Sequence, residues 1–420
     1  MTQFRHHAPP GALPAAAVLL LVCLALPAGR AAIAAPAAPA WAEDIAPGTW
    51  GLVSRNTPAD VDPARDERLT APYDRNAPWR GSTGQASVVN AWNGGALAPD
   101  QGSHGVLLLF GGGHSNYFGN EVYAFDLGRG SWARLTDPYV APAAALRQFY
   151  EQAEFPDGSP LPPHTYDYVE YHPATRSFVV LRGVQKLGVP GGSYSAGPPH
   201  MLDLEALRWR RGASHGRPVA SGGFSCHDAK RQLLWSESPG TRSAGLRSFD
   251  PSGQNNDGSY GKWSPDYGRH GVVVDSVAAC DPLHDLLVFT RFRRGDDVMA
   301  VALSQPGRPA VALRQAGTPP ALEPAHGWEW SETRQALIYW RRGDGVHELA
   351  APPGDWRGTW RWRTLTATAN SIAPDEMTKD NGVYGRFRIV RYGDEEFGIV
   401  LNRIDGPVYA FRLPRPETSQ

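Results

Sequence analysis

The chain has 420 residues, with 41 Lys and Arg against 42 Asp and Glu, which gives a formal net charge of -1. This length accommodates one large β-domain or two ordinary domains. The lack of a basic surplus argues against a nucleic-acid-binding protein, which normally carries an excess of Lys and Arg.

The N-terminus resembles an export signal. Arg5 precedes an apolar run at residues 15–26 (AAAVLLLVCLAL), and Ala32-Ile33-Ala34 is a suitable cleavage site. The run is shorter than the roughly 20 residues that a membrane-spanning helix needs. We therefore predict a signal peptide over 1–34, no membrane span, and a periplasmic or secreted protein. Removing Arg5 and Arg30 with this segment changes the net charge from -1 to -3.

Six short apolar segments recur at spacings of about 50 to 70 residues, which is the period of repeat architectures. Each follows a polar turn and precedes a third β-rich segment and usually a fourth that carries Trp. The six apolar segments are LLLF (107–110), FVVL (178–181), LLWS (233–236), LLVF (286–289), LIYW (337–340) and GIVL (398–401). Four strands per repeat predict an all-β, six-bladed β-propeller, with seven blades as the alternative.

The sixth repeat lacks a fourth strand, and residues 49–54 (TWGLVS) supply one. We predict a ring closed by an N-terminal strand at 49–55, which removes the free sheet edges. A linker at 35–48 precedes the propeller at 49–414, a tail at 415–420 follows it, and we expect a monomer. The predicted blades are 87–137, 164–213, 221–266, 272–317, 326–367 and 384–413.

The first repeat carries a more specific pattern. Residues 110–127 read FGGGHSNYFGNEVYAFDL, and Trp132 follows. This resembles a kelch motif: a glycine run, an N-[DE]-V-Y-x-[FY]-D-L strand, then Trp. The chain is similar to bacterial exported proteins of the kelch and galactose-oxidase-central-domain type. That family includes binding scaffolds and enzymes, so the fold alone does not name an activity.

In a four-stranded blade, the loops between strands 2 and 3 lie on the same face as the loops between blades; we call this the upper face. The predicted upper face gathers His, Tyr and Arg side chains. The candidate catalytic residues are His114, His164, Tyr166, Tyr384, Arg291 and Arg341. The candidate substrate-binding residues are Asn116, Tyr117, His270, His326, Trp328, Lys379, Asn381 and Arg403.

Arg side chains pair with carboxylate or sulfate groups and aromatic rings pack on sugars, so these residue types favour an acidic polysaccharide as ligand. β-Elimination at a uronic acid needs a carboxylate neutraliser, a base and an acid. We assign Arg291 or Arg341, His114 or His164, and Tyr166 or Tyr384 to these roles. Several propeller polysaccharide lyases, including ulvan and oligogalacturonate lyases, resemble this arrangement.

Other functions remain open. A non-catalytic kelch propeller would bind glycan or protein at the same face without turnover. No cofactor is required, although His114, His164, His270 and His326 are suitable ligands for a divalent metal. A copper radical oxidase is disfavoured because neither Cys226 nor Cys280 lies in a recognisable cross-link context. These two cysteines occupy equivalent places in adjacent repeats, so the sequence permits either a disulfide or two free thiols.

Overall fold

The computed structural model describes residues 37–73, 77–113, 117–140, 154–181, 197–216, 221–240, 244–292, 297–367 and 371–416. These residues form six sheets, one for each propeller blade, in which successive strands of a repeat pair antiparallel. The prediction of an all-β, six-bladed propeller is confirmed. Each of the six apolar segments contributes the second strand of its blade, counted outward from the propeller axis.

The first strand of the chain, β1 (Trp50–Ser54), precedes all six repeats. Blade 1 comprises β2 (Gly95–Ala98), β3 (Val106–Phe110), β4 (Val122–Asp126) and β5 (Ser131–Arg134). Blade 2 comprises β6 (Val169–His172), β7 (Ser177–Val180), β8 (His200–Asp203) and β9 (Arg208–Arg211). Blade 3 comprises β10 (Phe224–Asp228), β11 (Leu233–Glu237), β12 (Arg247–Gln254) and β13 (Tyr260–Trp263).

Blade 4 comprises β14 (Ala278–Asp281), β15 (Leu286–Arg291), β16 (Asp297–Ala302) and β17 (Val311–Ala312). Blade 5 comprises β18 (Arg314–Ala316), β19 (Gly327–Ser331), β20 (Ala336–Trp340), β21 (Val346–Ala350) and β22 (Thr359–Thr364). Blade 6 comprises β23 (Phe387–Tyr392), β24 (Glu395–Leu401) and β25 (Val408–Arg412). Blade 5 differs from the expected four strands because β18 pairs with the outer edge of β22 in parallel.

The N-terminal strand closes the ring as predicted. β1 pairs antiparallel with β25, with Trp50 opposite Phe411, and becomes the outer strand of blade 6. The Trp50 ring lies 5.2 Å from the Trp340 ring and 5.3 Å from the Phe411 ring, centroid to centroid. The closing strand thus contributes a buried aromatic side chain to the core between blades 5 and 6.

Neighbouring blades are also joined by a disulfide between Cys226 of β10 and Cys280 of β14. Their Cα atoms are 5.7 Å apart, within the range that a disulfide spans. The structure therefore resolves the alternative that the sequence left open in favour of a bond between the inner strands of blades 3 and 4.

Short helices lie outside the blades. The α-helices are α1 (Ala40–Glu43), α2 (Glu67–Thr70) and α3 (Ser87–Asn90). The 3-10 helices are Pro58–Val61, Pro63–Arg65, Ala71–Tyr73, Pro78–Arg80, Gly84–Ala86, Pro173–Thr175 and Tyr384–Arg386. No helix within the described ranges is long and apolar enough to cross a membrane.

Candidate functional site

Each blade carries one residue with left-handed backbone conformation shortly before its first strand, where the chain reaches the propeller axis. These residues, which we call the axial ring, are Trp92, Tyr166, Gly222, Asp275, Ala325 and Tyr384, with φ from +47° to +73°. Five of the six are not glycine, although a left-handed conformation is costly for a residue with a Cβ atom. Such positions persist only where surrounding contacts hold them.

Backbone hydrogen bonds between neighbouring blades supply those contacts. The amide of Tyr166 donates to the Trp92 carbonyl at 2.7 Å, and the amide of Asp275 donates to the Gly222 carbonyl at 2.7 Å. The amide of Ala325 donates in turn to the Asp275 carbonyl at 2.9 Å. At these positions the left-handed turn directs the amide at the preceding blade, so the ring is a structural feature of closure.

Two predicted catalytic residues meet within the axial ring. The Tyr166 and Tyr384 rings are 5.9 Å apart, edge to face, and the Tyr384 hydroxyl donates to Asp275 Oδ1 at 2.8 Å. These three side chains come from blades 2, 6 and 4, and side chains of alternate blades can meet only near the axis. Tyr384 is 1% exposed and Tyr166 is 6% exposed. Burial, followed by the charge of Asp275, raises the pKa of Tyr384 well above its usual value.

His164 lies next to this group, on the loop that leads into blade 2. Its ring centroid is 5.0 Å from that of Trp92 and 5.9 Å from that of Tyr166. The loop is held by Asn93, whose Oδ1 accepts from the Thr165 amide at 2.9 Å. Asn93 Nδ2 also donates to the Ser87 carbonyl at 3.0 Å, which fixes helix α3 beside the same loop. His164 is therefore a positioned but buried neighbour of Trp92, with 2% exposure.

A pocket of about 550 Å³ opens on the upper face between helix α3 and the loop before blade 6; we call it the upper pocket. It is lined by Thr83, Ala86, Ser87, Asn90, Ala91, Trp92, Thr378, Lys379 and Asn381. The Asn381 amide donates to the Asn90 carbonyl and joins the two walls. Lys379 and Asn381 were predicted as substrate-binding residues, whereas Asn90 and Trp92 were not. Trp92 precedes Asn93-Gly94-Gly95, a turn-forming sequence that does not by itself indicate a pocket.

Lys379 is the cation that the upper pocket presents to solvent. It is exposed and forms no salt bridge with any residue that the structure describes. The adjacent carboxylate, Asp380, is bound by Arg341 and by Arg342 at 2.7 Å, and Arg342 also pairs with Glu323. Because two guanidinium groups neutralise Asp380, the Lys379 ammonium is left unopposed for an anion.

The arginines predicted as candidates pair with carboxylates of the protein itself. Arg341 is buried and bonds Asp380 and the Pro324 carbonyl. Arg291 pairs with Asp297 across strands β15 and β16, and Arg403 forms two hydrogen bonds of 3.0 Å with Asp405. The sequence could not show the pairing of Arg341 with Asp380, because these two residues lie 39 positions apart along the chain.

The other predicted aromatic and imidazole residues are buried in separate places. His270 bonds Glu237 at 2.9 Å and the Pro306 and Arg308 carbonyls. His326 Nδ1 lies 2.7 Å from the Glu323 carbonyl oxygen, and burial lowers the pKa of His326 to about 3. Trp328 donates to the Val288 carbonyl at 3.2 Å as a core residue. Among the described residues no group of three or more His, Cys, Asp or Glu could hold a metal ion.

Three further predicted residues lie directly after the glycine run of the first repeat. Tyr117 is buried, and its hydroxyl donates to Glu121 Oε1 at 2.7 Å, so it contributes to the core of the first repeat. His114 and Asn116 lie outside the described residues, and their predicted roles stay predictions.

The axial channel below the ring contains a charged group that the sequence did not predict. A cavity of about 350 Å³ is lined by the first strands of all six blades and contains Glu170, Glu329 and Arg388. The Arg388 guanidinium bonds Glu329 and the Gly95 carbonyl and lies 3.5 Å from Glu170 Oε2. Burial raises the pKa of Glu170 to about 7 and also raises the pKa of Glu329. The Arg388 contacts brace the blades against each other.

No protein-family model matches the sequence, and no curated protein matches it. The kelch resemblance and the relation to lyases therefore stay predictions. One similar solved structure is described as a GH43 glycoside hydrolase engineered to display both endo-xylanase and exo-arabinofuranosidase activity. It is 14% identical over 73% of this chain, with a TM-score of 0.34, and the match spans 61% of that chain. A TM-score this low carries no argument about the function of this chain.

Proposed function

We propose that the protein binds an acidic saccharide in the upper pocket. The observation that carries this proposal is the unopposed ammonium of Lys379 in a pocket of about 550 Å³ that also contains Trp92. Pockets of a few hundred Å³ with few polar groups are typical of small-ligand sites. The predicted signal peptide, which lies outside the described residues, would export the chain and give it access to extracellular polysaccharides.

Each lining group has a role suited to a uronic acid or sulfated sugar. Lys379 would pair with the carboxylate or sulfate through charge-assisted hydrogen bonds. The half-buried Trp92 ring offers an apolar surface for a sugar ring. Asn90 Oδ1 is buried and has no hydrogen-bond partner among the described residues, so it would accept a hydrogen bond from a sugar hydroxyl.

Binding without turnover is favoured over β-elimination because the predicted catalytic side chains are already bonded to other groups of the protein. Arg291 and Arg341 are paired with Asp297 and Asp380, so neither is free to neutralise a substrate carboxylate. The Tyr384 hydroxyl is already donated to Asp275. Lys379 is the cation available in this pocket. An ion pair with Lys379 would hold an acidic ligand in place, but it would not supply a base.

The proposal is tested by a binding screen of the purified protein against polygalacturonate, alginate and hyaluronan, with starch as the neutral comparison. We expect at least one acidic polymer to bind more tightly than starch, and Trp92→Ala to weaken that binding. Trp209→Ala, at another half-buried Trp, is the matched control and should leave binding unchanged. Equal affinity for starch and all acidic polymers would overturn the proposal.

The same samples are followed by ultraviolet absorbance, since β-elimination produces an unsaturated uronate that absorbs there. We expect no absorbance rise with any polymer. A rise that requires His164 or Tyr166 would establish lyase chemistry and contradict binding without turnover.

A further inference from the structure

The outer edge of blade 5 carries three exposed arginines on one face of two paired strands: Arg314 of β18, and Arg361 and Arg363 of β22. Residues of β22 alternate between exposed and buried, with Trp360 and Trp362 buried on the opposite face. Trp362 Nε1 donates to Gln315 Oε1 at 2.7 Å, which places Gln315 on the Trp face and Arg314 on the other. We call Arg314, Arg361 and Arg363 the arginine ladder.

The strand register sets the spacing of the ladder. Arg314 is opposite Thr359 and Ala316 is opposite Arg361, so the three arginines occupy successive levels two residues apart. Each level lies about 6.6 Å further along the strand direction, and Arg314 is also displaced sideways by about 4.8 Å because it lies on the neighbouring strand, so the Cα atoms of Arg314 and Arg363 are about 14 Å apart. A row of three cations of this length matches a linear polymer with repeated negative charges better than a single small anion.

The ladder has little internal compensation. Arg314 and Arg361 form no salt bridge with any of the residues the structure describes. Arg363 lies 3.8 Å from Glu348, but that buried carboxylate already bonds Arg334 at 2.6 Å. The surface therefore has an excess of positive charge in a chain whose overall net charge is -1.

The geometry points to the arginine ladder as a second contact surface for a long acidic polysaccharide, and we propose this role for it. The identity of the polymer rests on the proposed function of the upper pocket. Single-stranded nucleic acid is a poorer match, since such sites stack bases on exposed aromatic rings and the two Trp side chains face the other way. A lipid surface would need exposed apolar side chains beside the arginines, and on that face β22 exposes Thr359.

The test compares the wild-type protein with R314Q/R361Q/R363Q for binding to polygalacturonate, trigalacturonate, heparin and a single-stranded oligonucleotide. We expect the variant to lose about tenfold in affinity for the two polysaccharides at low salt, with a shallower salt dependence, because fewer counterions are released. Trigalacturonate, which is short enough for the upper pocket alone, should bind both proteins equally. The matched control is R65Q/R129Q/R176Q, three arginines on other surfaces.

R314Q/R361Q, at the two positions without salt bridges, is measured in parallel with thermal unfolding, so that a folding defect is recognised. Unchanged polysaccharide affinity and salt dependence in both ladder variants would overturn the inference. The inference would also be overturned if the wild-type protein bound the oligonucleotide more tightly than the polysaccharides and the triple variant lost that binding. If Lys379→Gln has no effect on trigalacturonate while the ladder variants still lose heparin, the proposed function fails and the arginine ladder stands.

Discussion

The hydroxyl of Tyr384 in blade 6 donates to Asp275 Oδ1 in blade 4 at 2.8 Å, across the upper end of the propeller axis. Both residues have left-handed backbones and belong to the axial ring. The bond connects two blades that are not adjacent, so this buried polar contact helps to hold the ring of blades closed. Tyr384, predicted as a catalytic acid, is thereby placed in a supporting position beside the upper pocket.

Tyr384→Phe should lower the free energy of unfolding by about 1–3 kcal/mol, because it removes the donor from a carboxylate near the axis. Urea unfolding followed by Trp fluorescence measures this change. Tyr73→Phe, at a half-buried Tyr that packs on Trp79, is the comparison and should cost less. Equal stability of the two variants would show that the bond to Asp275 contributes nothing.

Trp50→Ala should cost about 3–5 kcal/mol, since it removes a fully buried aromatic ring from the closing strand. The ring packs on Trp340 and Phe411 and its Nε1 donates to the Asp344 carbonyl at 3.1 Å. Leu52→Ala, on the same strand but half-buried, should cost clearly less. Urea unfolding of both variants checks the order, and a larger loss for Leu52→Ala would contradict closure by Trp50.

The buried His326 should make the protein less stable in acid. Its pKa is about 3 in the folded chain, lowered by burial, against about 6.5 when unfolded. Between these values the unfolded state binds more protons, so stability falls as pH drops below 6.5.

His326→Gln cannot take up that proton, and it should therefore lose less stability between pH 7 and pH 4 than the wild type, by about 2–3 kcal/mol. Denaturant unfolding at each pH measures the difference, with His104→Gln as the control at a half-buried His that contacts Ser103. Parallel pH profiles for wild type and His326→Gln would rule out this contribution.

The Cys226–Cys280 disulfide closes a loop with a sequence separation of 54 residues. Loop-closure entropy predicts that C226S/C280S loses about 4 kcal/mol of stability. Wild-type protein under reducing conditions should unfold like the variant. Identical unfolding curves with and without reductant, together with two titratable thiols in the untreated protein, would contradict the bond.

The fold was predictable because it repeats. Every apolar segment, such as LIYW, is preceded by a polar turn. Side chains alternate between the two faces of a strand, so one face packs against the next blade, as the Trp340 ring packs against Trp50. The closing strand was predictable from the number of strands in each repeat, since the sixth repeat lacks a fourth strand and residues 49–54 supply one. The extra strand β18 was missed because three residues leading out of blade 4 carry no repeat pattern.

The candidate site was only partly predictable. Lys379 and Asn381 lie in a loop between blades and line the upper pocket, while their substrate-binding role stays a prediction. The opposite wall of the upper pocket comes from helix α3, in a segment whose composition gave no sign of a site. The pairing of Arg341 with Asp380 depends on contacts between distant parts of the chain, which residue types and spacing do not encode.

The central claim is that Lys379 recognises the acidic group of a saccharide in the upper pocket. Calorimetric titration with trigalacturonate and with its carboxyl-reduced form tests it most directly, using wild type, Lys379→Gln and the exposed control Lys262→Gln. We predict that wild type and Lys262→Gln bind the acidic form roughly tenfold more tightly than the reduced form, and that Lys379→Gln binds both forms equally weakly. A Lys379→Gln protein that still prefers the acidic form as strongly as wild type would contradict the account.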